Sequence, residues 1–185
     1  MDDDLRHKRI VSKIGLISQV KVPVQTNSLF FRSSLPNGTY DKNFHLENIW
    51  KQLRFTKVIC LISRKEYKRK TNTNKQDTYY FLRGAEYIQF PIYTKMFKHP
   101  DWMKALYFMI QSTIIPLLNS YNHERICIHC SGGVGRTGMV YACIFMHLGY
   151  DYKQSLHFVY ENIPKCLNSK KRKMLKKYYK FYKLL

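Results

Sequence analysis

His129-Cys130-Ser131-Gly132-Gly133-Val134-Gly135-Arg136-Thr137-Gly138 is the stretch around which this chain is organised. Ile126-Cys127-Ile128 precedes it, and a longer apolar run from Met139 to Met146 follows. The first run has the length of a buried strand and the second that of a buried helix. The glycine-rich segment between them is therefore predicted to be a strand-to-helix turn, with Arg136 and Thr137 opening the helix. Backbone N–H groups in such a turn point inward, and the first helical N–H groups have no intrahelical partners. The helix dipole adds positive potential at the same point. An anion, above all a phosphate, suits that cradle. Gly132, Gly133 and Gly135 let the backbone curl without Cβ clashes.

The cradle contains a cysteine. A thiol near a helix N-terminus and beside cations ionises below its reference pKa of about 8.5. A thiolate on the floor of a phosphate cradle is a nucleophile aimed at phosphorus. Arg136 offers a planar fork for two phosphate oxygens. Thr137 can hydrogen-bond the sulfur and make it a better leaving group. Cys130 is thus the candidate nucleophile and Arg136 the clamp, with Ser131, Gly132, Gly133, Val134 and Gly135 holding phosphate. A structural glycine loop around an inert cysteine is the plainer alternative.

The pattern His-Cys-x5-Arg-Thr resembles the signature of the cysteine-dependent phosphatases, the protein-tyrosine and dual-specificity superfamily. His129, Cys130, Arg136 and Thr137 match it residue by residue, and Gly133 and Gly135 match its frequent glycines. Gly132 stands where a small residue is common. The resemblance implies phosphoryl transfer in two steps, through a cysteinyl-phosphate that water then hydrolyses. It implies that His129 orients the loop and tunes the thiol, and that neither metal nor cofactor takes part. It spans roughly residues 28–182 and is strongest at 129–138.

The family also uses an aspartic acid to protonate the leaving oxygen, from a loop after the strand that here ends at Phe90-Pro91. In the Phe-Pro-x-x-Asp pattern the acid's position is Thr94 in this chain, and the nearest downstream aspartate is Asp101. Asp101 is either that acid on a longer loop or the N-cap of the next helix, since Pro-Asp before an apolar helix is a start signal. RNA 5′-phosphatases of the same superfamily lack this aspartate. Val22-Pro23-Val24, Ser34-Leu35-Pro36, Arg64-Lys65-Glu66-Tyr67 and Phe81-Leu82-Arg83-Gly84 are similar to that branch. Its loop, however, carries His and Asn where this chain has Gly132 and Gly135. The resemblance implies first a phosphatase of phosphotyrosine, with phosphoserine or phosphothreonine as further substrates. An RNA 5′-triphosphatase or diphosphatase is the second reading, and a non-catalytic phosphate-binding module the third. No tyrosine-recognition loop is identified, which favours a shallow cleft.

At 185 residues with 45% hydrophobic content, one globular domain is expected. Residues 1–13 are polar and expected to be loose, leaving 14–185 as the phosphatase domain. No apolar run reaches the roughly 20 residues of a membrane span, and Met1-Asp2-Asp3-Asp4 opens no signal-peptide core. A soluble intracellular monomer is expected, in the cytoplasm or nucleus. The five cysteines are an odd number, which argues against a disulfide framework. Cys127 reads as core, with a Cys127–Cys130 redox pair as the alternative. Thirty-two Lys and Arg against twelve Asp and Glu give a net charge of +20. Such a field draws polyanions. A phosphorylated protein is the expected substrate, and RNA or another polyanion an admissible partner. Solvated lysines in a biased composition are the alternative.

Strands are expected near Ile14–Val24, Ser28–Arg32, Val58–Ile62 and Tyr87–Phe90, with the turn Pro36-Asn37-Gly38 after the second. Leu46, Ile49, Trp50 and Leu53 mark one helical face. The polar stretch Arg64–Asp77 reads as a surface loop. A helix capped by Asp101 is expected to be kinked or ended by Pro116. Gly149 suits the C′ position of the buried helix. Asp151 and Gln154 have capping-box spacing, and Ser169 is the expected cap of the last helix. Strands alternating with helices predict an α/β domain with a mostly parallel central sheet and helices on both faces. The glycine-rich turn would sit at the carboxyl edge of that sheet, where such folds bind ligands.

Overall fold

The computed structural model describes residues 10–11, 15–43, 45–71, 84–92, 99 and 101–185. Five strands form one sheet in the order β1-β2-β5-β3-β4. They are β1 (Ile17–Val20), β2 (Leu29–Ser33), β3 (Lys57–Cys60), β4 (Glu86–Gln89) and β5 (Arg125–His129). β1 runs antiparallel to β2, and the other three pairs are parallel. β5 lies in the middle, between β2 and β3. Its last residue, His129, is in register with Ser33 on one side and Cys60 on the other. Three parallel strands therefore end level, and the glycine-rich turn begins at the centre of that edge.

Helices cover both faces, because a parallel sheet needs both faces buried. The side chains of β2 alternate accordingly. Phe31 packs with Leu46 and Trp50 of α1 (His45–Leu53), together with Phe55, Val58 and Cys127. Phe30 faces the opposite, larger core with Ile126 and Ile128. That core is built by α3 (Trp102–Met109), α4 (Gly135–His147), α5 (Tyr152–Asn162) and α6 (Ser169–Tyr182). Every residue of α4 from Thr137 to Met146 is buried, as its unbroken apolar composition requires. The Tyr141 hydroxyl donates to the Phe31 carbonyl at 2.9 Å and ties α4 to β2.

The local signals mostly act as their chemistry dictates. Gly149 takes φ +93° after α4. Its N–H reaches the Met146 carbonyl, and the Tyr150 N–H reaches that of Phe145. This is a Schellman ending. The Asp151–Gln154 capping box is fully formed. Pro116 does not end its helix. α3 continues through a π-helical stretch, Ile110–Ile114, into a last turn, Ile115–Leu118. The Ile115 N–H bonds to the Ile110 carbonyl, five residues back. The widened turn accommodates a residue that has no N–H and whose ring crowds the preceding turn.

Two expectations are corrected. The cap of α6 is Asn168, whose side chain accepts from the Lys171 N–H at 3.0 Å, and Ser169 is the first helical residue. Of the stretch expected to be a loop, Arg64–Thr71 is a helix, α2. Tyr67 anchors it in the larger core, which a polar composition hides from a search for periodicity. Residues 72–77 of that stretch lie outside the described residues. So do residues 1–9 and 12–13 of the expected N-terminal segment, whereas Ile10 and Val11 are buried in the larger core.

Gly138, in the first turns of α4, packs against the α5–α6 connection. A Cβ there would lie 2.5 Å from Cys166 Sγ. Gly138→Ala is expected to destabilise the fold by about 1–3 kcal/mol. Cys166→Ala in the same chain should recover part of that loss, which thermal melts of the two single variants and the double variant would measure.

Candidate functional site

The turn predicted from sequence is present. β5 ends at His129 and α4 begins at Gly135. Residues 130–135 between them are all buried. Gly133 takes φ +61°, and a Cβ there would collide with the Ser33 carbonyl at the end of β2. Only glycine satisfies both demands. The cradle is also fastened to the segment after β2, because the Leu35 N–H donates to the Ser131 carbonyl at 3.0 Å.

The cysteines show what the cradle does. Cys60, Cys127 and Cys143 are buried, and burial pushes their thiols up, Cys60 to about 12. Burial also acts on Cys130 and alone would raise it. The Arg136 charge, the Thr137 hydroxyl and the backbone N–H groups of Thr137 and Val134 outweigh it and hold the thiol below its ordinary value. Thr137 Oγ1 is buried with no nitrogen or oxygen partner and serves the sulfur. Ser131 Oγ and Ser34 Oγ are likewise buried without partners among the described residues, so the cradle holds unused polar capacity.

His129 is buried beside the cradle. Burial lowers its pKa to about 3, so the ring is neutral at ordinary pH. Its Nδ1 lies 3.4 Å from the Cys130 carbonyl, and Trp50 meets it edge to face at a centroid distance of 5.4 Å. A neutral imidazole so enclosed is poorly placed to exchange protons with solvent.

Arg136 is held by a residue that sequence reasoning did not assign to the site. Glu66, on α2, binds it with both carboxylate oxygens, at 2.7 Å to Nη1 and 2.6 Å to Nη2. Nη1 also donates to the carbonyls of Leu61 and Ile92, each at 3.2 Å. Burial lowers the Arg136 pKa, but Glu66 and the Cys130 charge more than offset it. A guanidinium has five N–H donors in a fixed plane. Glu66 occupies its end, and the Nε–H and the outer Nη2–H, which share one edge, have no hydrogen bond among the described residues. A signal for Glu66 was present, since Ser63-Arg64-Lys65-Glu66 has S-x-x-E spacing. Ser63 Oγ does accept from the Glu66 N–H at 3.1 Å, while the Glu66 carboxylate turns to Arg136. A second cation missed from sequence is Arg32 on β2, fully buried. Its Nε donates to Ser18 Oγ at 2.8 Å and its Nη2 to the Gly15 carbonyl at 2.5 Å.

Asp101 stands immediately before α3 with its side chain 60% exposed, 3.7 Å from His99 Nδ1. It occupies the cap position, but its side chain makes no capping hydrogen bond. Around the cradle, no hydrogen bond or ion pair among the described residues involves Asp101. Thr94 lies outside the described residues. Cys127 and Cys130 belong to the cores on opposite faces of the sheet, and both are free thiols. That overturns the redox-pair alternative. Among the described residues no group of three His, Cys, Asp or Glu could hold a metal ion, and no helix is long and apolar enough to cross a membrane.

A family model described as "PTP-SAK: Swiss Army Knife protein, DSP-PTPase phosphatase domain" matches residues 42–180. The chain belongs to that family, within the dual-specificity phosphatase superfamily. Solved structures share the fold at low identity. Kinase associated phosphatase, with its catalytic-site cysteine replaced by serine, superposes with a TM-score of 0.68 at 17% identity, covering 85% of this chain and 87% of its own. Tk-PTP in its active form gives 0.63 at 20%, over 88% and 97%. PTPMT1 in complex with PI(5)P gives 0.62 at 13%, over 91% and 97%. No curated protein matches the sequence.

Two outcomes are expected from this geometry. In the native protein, alkylation of Cys130 by iodoacetamide should titrate with a midpoint below that of a free thiol. Arg136→Met should move the midpoint upward, because the charge that favours the thiolate is gone; mass mapping of the labelled residue checks both. Glu66→Gln should lower kcat/KM about 10–100-fold, the loss of one hydrogen bond between charged groups. Glu66→Asp should restore part of it, and the Cys130 midpoint should shift in Glu66→Gln as Arg136 loosens.

Proposed function

We propose that this chain hydrolyses phosphotyrosine in proteins through a cysteinyl-phosphate intermediate. The single observation behind the proposal is the contrast among the buried thiols. Cys130 is held down where its neighbours are pushed up, with the Val134 and Thr137 N–H groups facing its sulfur and a restrained arginine beside it. In the first step the Cys130 thiolate attacks phosphorus, the S–P bond forms, and the bond to the tyrosyl oxygen breaks. The leaving oxygen takes a proton. In the second step water attacks the same phosphorus, the S–P bond breaks, and the thiolate is restored with its Thr137 hydrogen bond. The N–H groups of residues 131–135 and the free edge of Arg136 hold the equatorial oxygens, so most catalysis is positioning and charge stabilisation. His129 keeps the loop in shape. Asp101 is the candidate donor of the proton to the leaving oxygen.

A second reading, an RNA 5′-phosphatase, draws on the basic surface. Lys170, Arg172, Lys173, Lys176, Lys177 and Lys180 are exposed along α6, and phosphate contacts dominate affinity for RNA. One substrate panel tests both readings: a phosphotyrosine peptide, a phosphoserine peptide, a phosphoinositide and a 5′-triphosphate RNA. The phosphotyrosine peptide is expected to have the highest kcat/KM, and Cys130→Ser to abolish its hydrolysis while retaining binding. The highest turnover on the RNA would replace the first reading by the second. In the same assay Asp101→Asn should lower kcat on phosphotyrosine about 100-fold or more if Asp101 donates the proton. An activated aryl ester, whose leaving group needs no proton, should hardly respond.

A further inference from the structure

α3 and α6 meet through aromatic rings at one end of the molecule. The Tyr107 ring lies 6.4 Å from the rings of Phe181 and Tyr182 and meets Phe108 edge to face at 5.6 Å, all between centroids. Phe108 is itself 64% exposed. Leu184, whose N–H returns to the Phe181 carbonyl at 3.1 Å, is 86% exposed, and Leu185 is 70% exposed. Three of the five large hydrophobic side chains exposed among the described residues therefore gather at this end. Such residues scattered singly are ordinary, but a cluster of them marks a surface that meets something apolar.

The apolar tip is ringed by cations. Lys104 precedes Phe108 by one turn of α3, and Lys180 and Lys183 flank Phe181 and Tyr182; all three lysines are exposed. Neither helix contains an aspartate or a glutamate, so the charge around the tip has one sign. The tip also stands on a firm base. His147, at the end of α4, lies 5.0 Å from the Tyr107 ring and 4.8 Å from that of Tyr182, and its Nε2 is 2.7 Å from the Tyr178 hydroxyl. The Phe108 carbonyl accepts from Ser112 Oγ at 2.7 Å in the π-helical stretch, which gives the backbone at the tip a partner within the protein.

We propose that the end of the molecule formed by Phe108, Phe181 and Leu184 is a docking surface for an anionic phospholipid bilayer. The apolar side chains would enter the boundary of the acyl chains, while the lysines lay their stems along it and hold their charge among the headgroups. Anionic lipid attracts lysines so placed. A single strand of RNA is held differently, by aromatic faces on which bases stack along a cationic track. Here the Tyr107 ring covers Phe108 and Phe181 from the side, leucines complete the tip, and apolar and cationic groups are segregated into centre and ring. That arrangement favours the bilayer. α4 runs from the cradle at Gly135 to His147 beneath the tip, a length of about 20 Å at the usual helical rise. A docked molecule therefore turns its cradle away from the bilayer.

The test sediments the full chain with vesicles of phosphatidylcholine alone and of phosphatidylcholine with phosphatidylserine at about two to one. Binding to the mixed vesicles is expected to exceed binding to the neutral ones about tenfold or more and to weaken as salt rises. Lys104→Ala combined with Lys183→Ala should weaken it about tenfold. Phe108→Ser should weaken it about as much while keeping the salt dependence. In Phe108→Trp the new indole should move its emission to the blue on the mixed vesicles and be quenched by brominated acyl chains, a sign of entry into the bilayer. The substituted residues are all exposed, so no variant removes a buried side chain. Equal binding to the two kinds of vesicle, a Phe108→Ser variant that binds as the parent does, or an indole in Phe108→Trp that brominated chains do not quench would overturn the proposal. So would a single-stranded RNA that binds the parent where the mixed vesicles do not, which would give the surface to nucleic acid. None of these measurements uses turnover, so their failure is distinct from failure of the phosphatase reading.

Discussion

A thiolate buried at the end of a central strand persists only if fixed charge and N–H dipoles replace the water it has lost. That requirement organises the cradle and, through it, much of the molecule. Cys130 is 3% exposed. The groups that compensate it come from Arg136, Thr137 and the backbone of its own loop. A loop that turns its N–H groups inward cannot also fold around side chains of its own. It is therefore nearly bare, and the rest of the chain packs directly on its backbone. Gly133 abuts the end of β2, Gly132 abuts Tyr40, and Gly138 abuts the α5–α6 connection. Each of these contacts is made through a missing Cβ, so each fixes the relation of a neighbouring segment to the thiol.

The positive charge needs restraint of its own. On the proposed reading, a free guanidinium beside the Cys130 thiolate would fold onto it and fill the place of the phosphate. Glu66 prevents this by holding the far end of Arg136 in two short hydrogen bonds, and the Leu61 and Ile92 carbonyls complete the restraint. The carboxylate is thus a counter-ion that, among the described residues, leaves one edge of the cation without a partner. Its position follows from topology. β3 ends level with β5, α2 starts four residues after β3, and Glu66 lies in its first turn.

What could be read from the sequence was what local chemistry controls. The strand-turn-helix around Cys130, the α/β class, the Schellman ending at Gly149 and the Asp151–Gln154 box each depend on residues within a few positions of one another. Asn168 and Ser169 were separable only by backbone geometry, since both are good caps. α2 was missed because six of its eight residues are charged, and a single buried residue, Tyr67, carries its packing. Glu66 and Tyr40 could not be placed in the site from sequence. Their contacts span 70 and 92 positions, and only the sheet order brings those segments to the same edge. The S-x-x-E spacing gave Glu66 a helical address, but its carboxylate serves a partner that no local pattern names.

The question of the proton donor connects these parts. α3 is anchored immediately after Asp101 by Trp102, which is buried and packs beside Tyr178 at a centroid distance of 6.1 Å. Asp101 is consequently tied to the start of a packed helix. If it stays outside the cradle, the leaving oxygen must depart with little help from an acid. That demand falls unequally on substrates. A tyrosyl oxygen has a pKa near 10 and tolerates leaving as an anion, whereas an alkyl oxygen of serine or threonine is far more basic and does not. General acid catalysis is typically worth about 10²–10⁴-fold, so its weakening selects against the alkyl esters by itself. On the proposed reading, leaving-group chemistry thus separates phosphotyrosine from the alkyl esters before any contact with the rest of the substrate is counted.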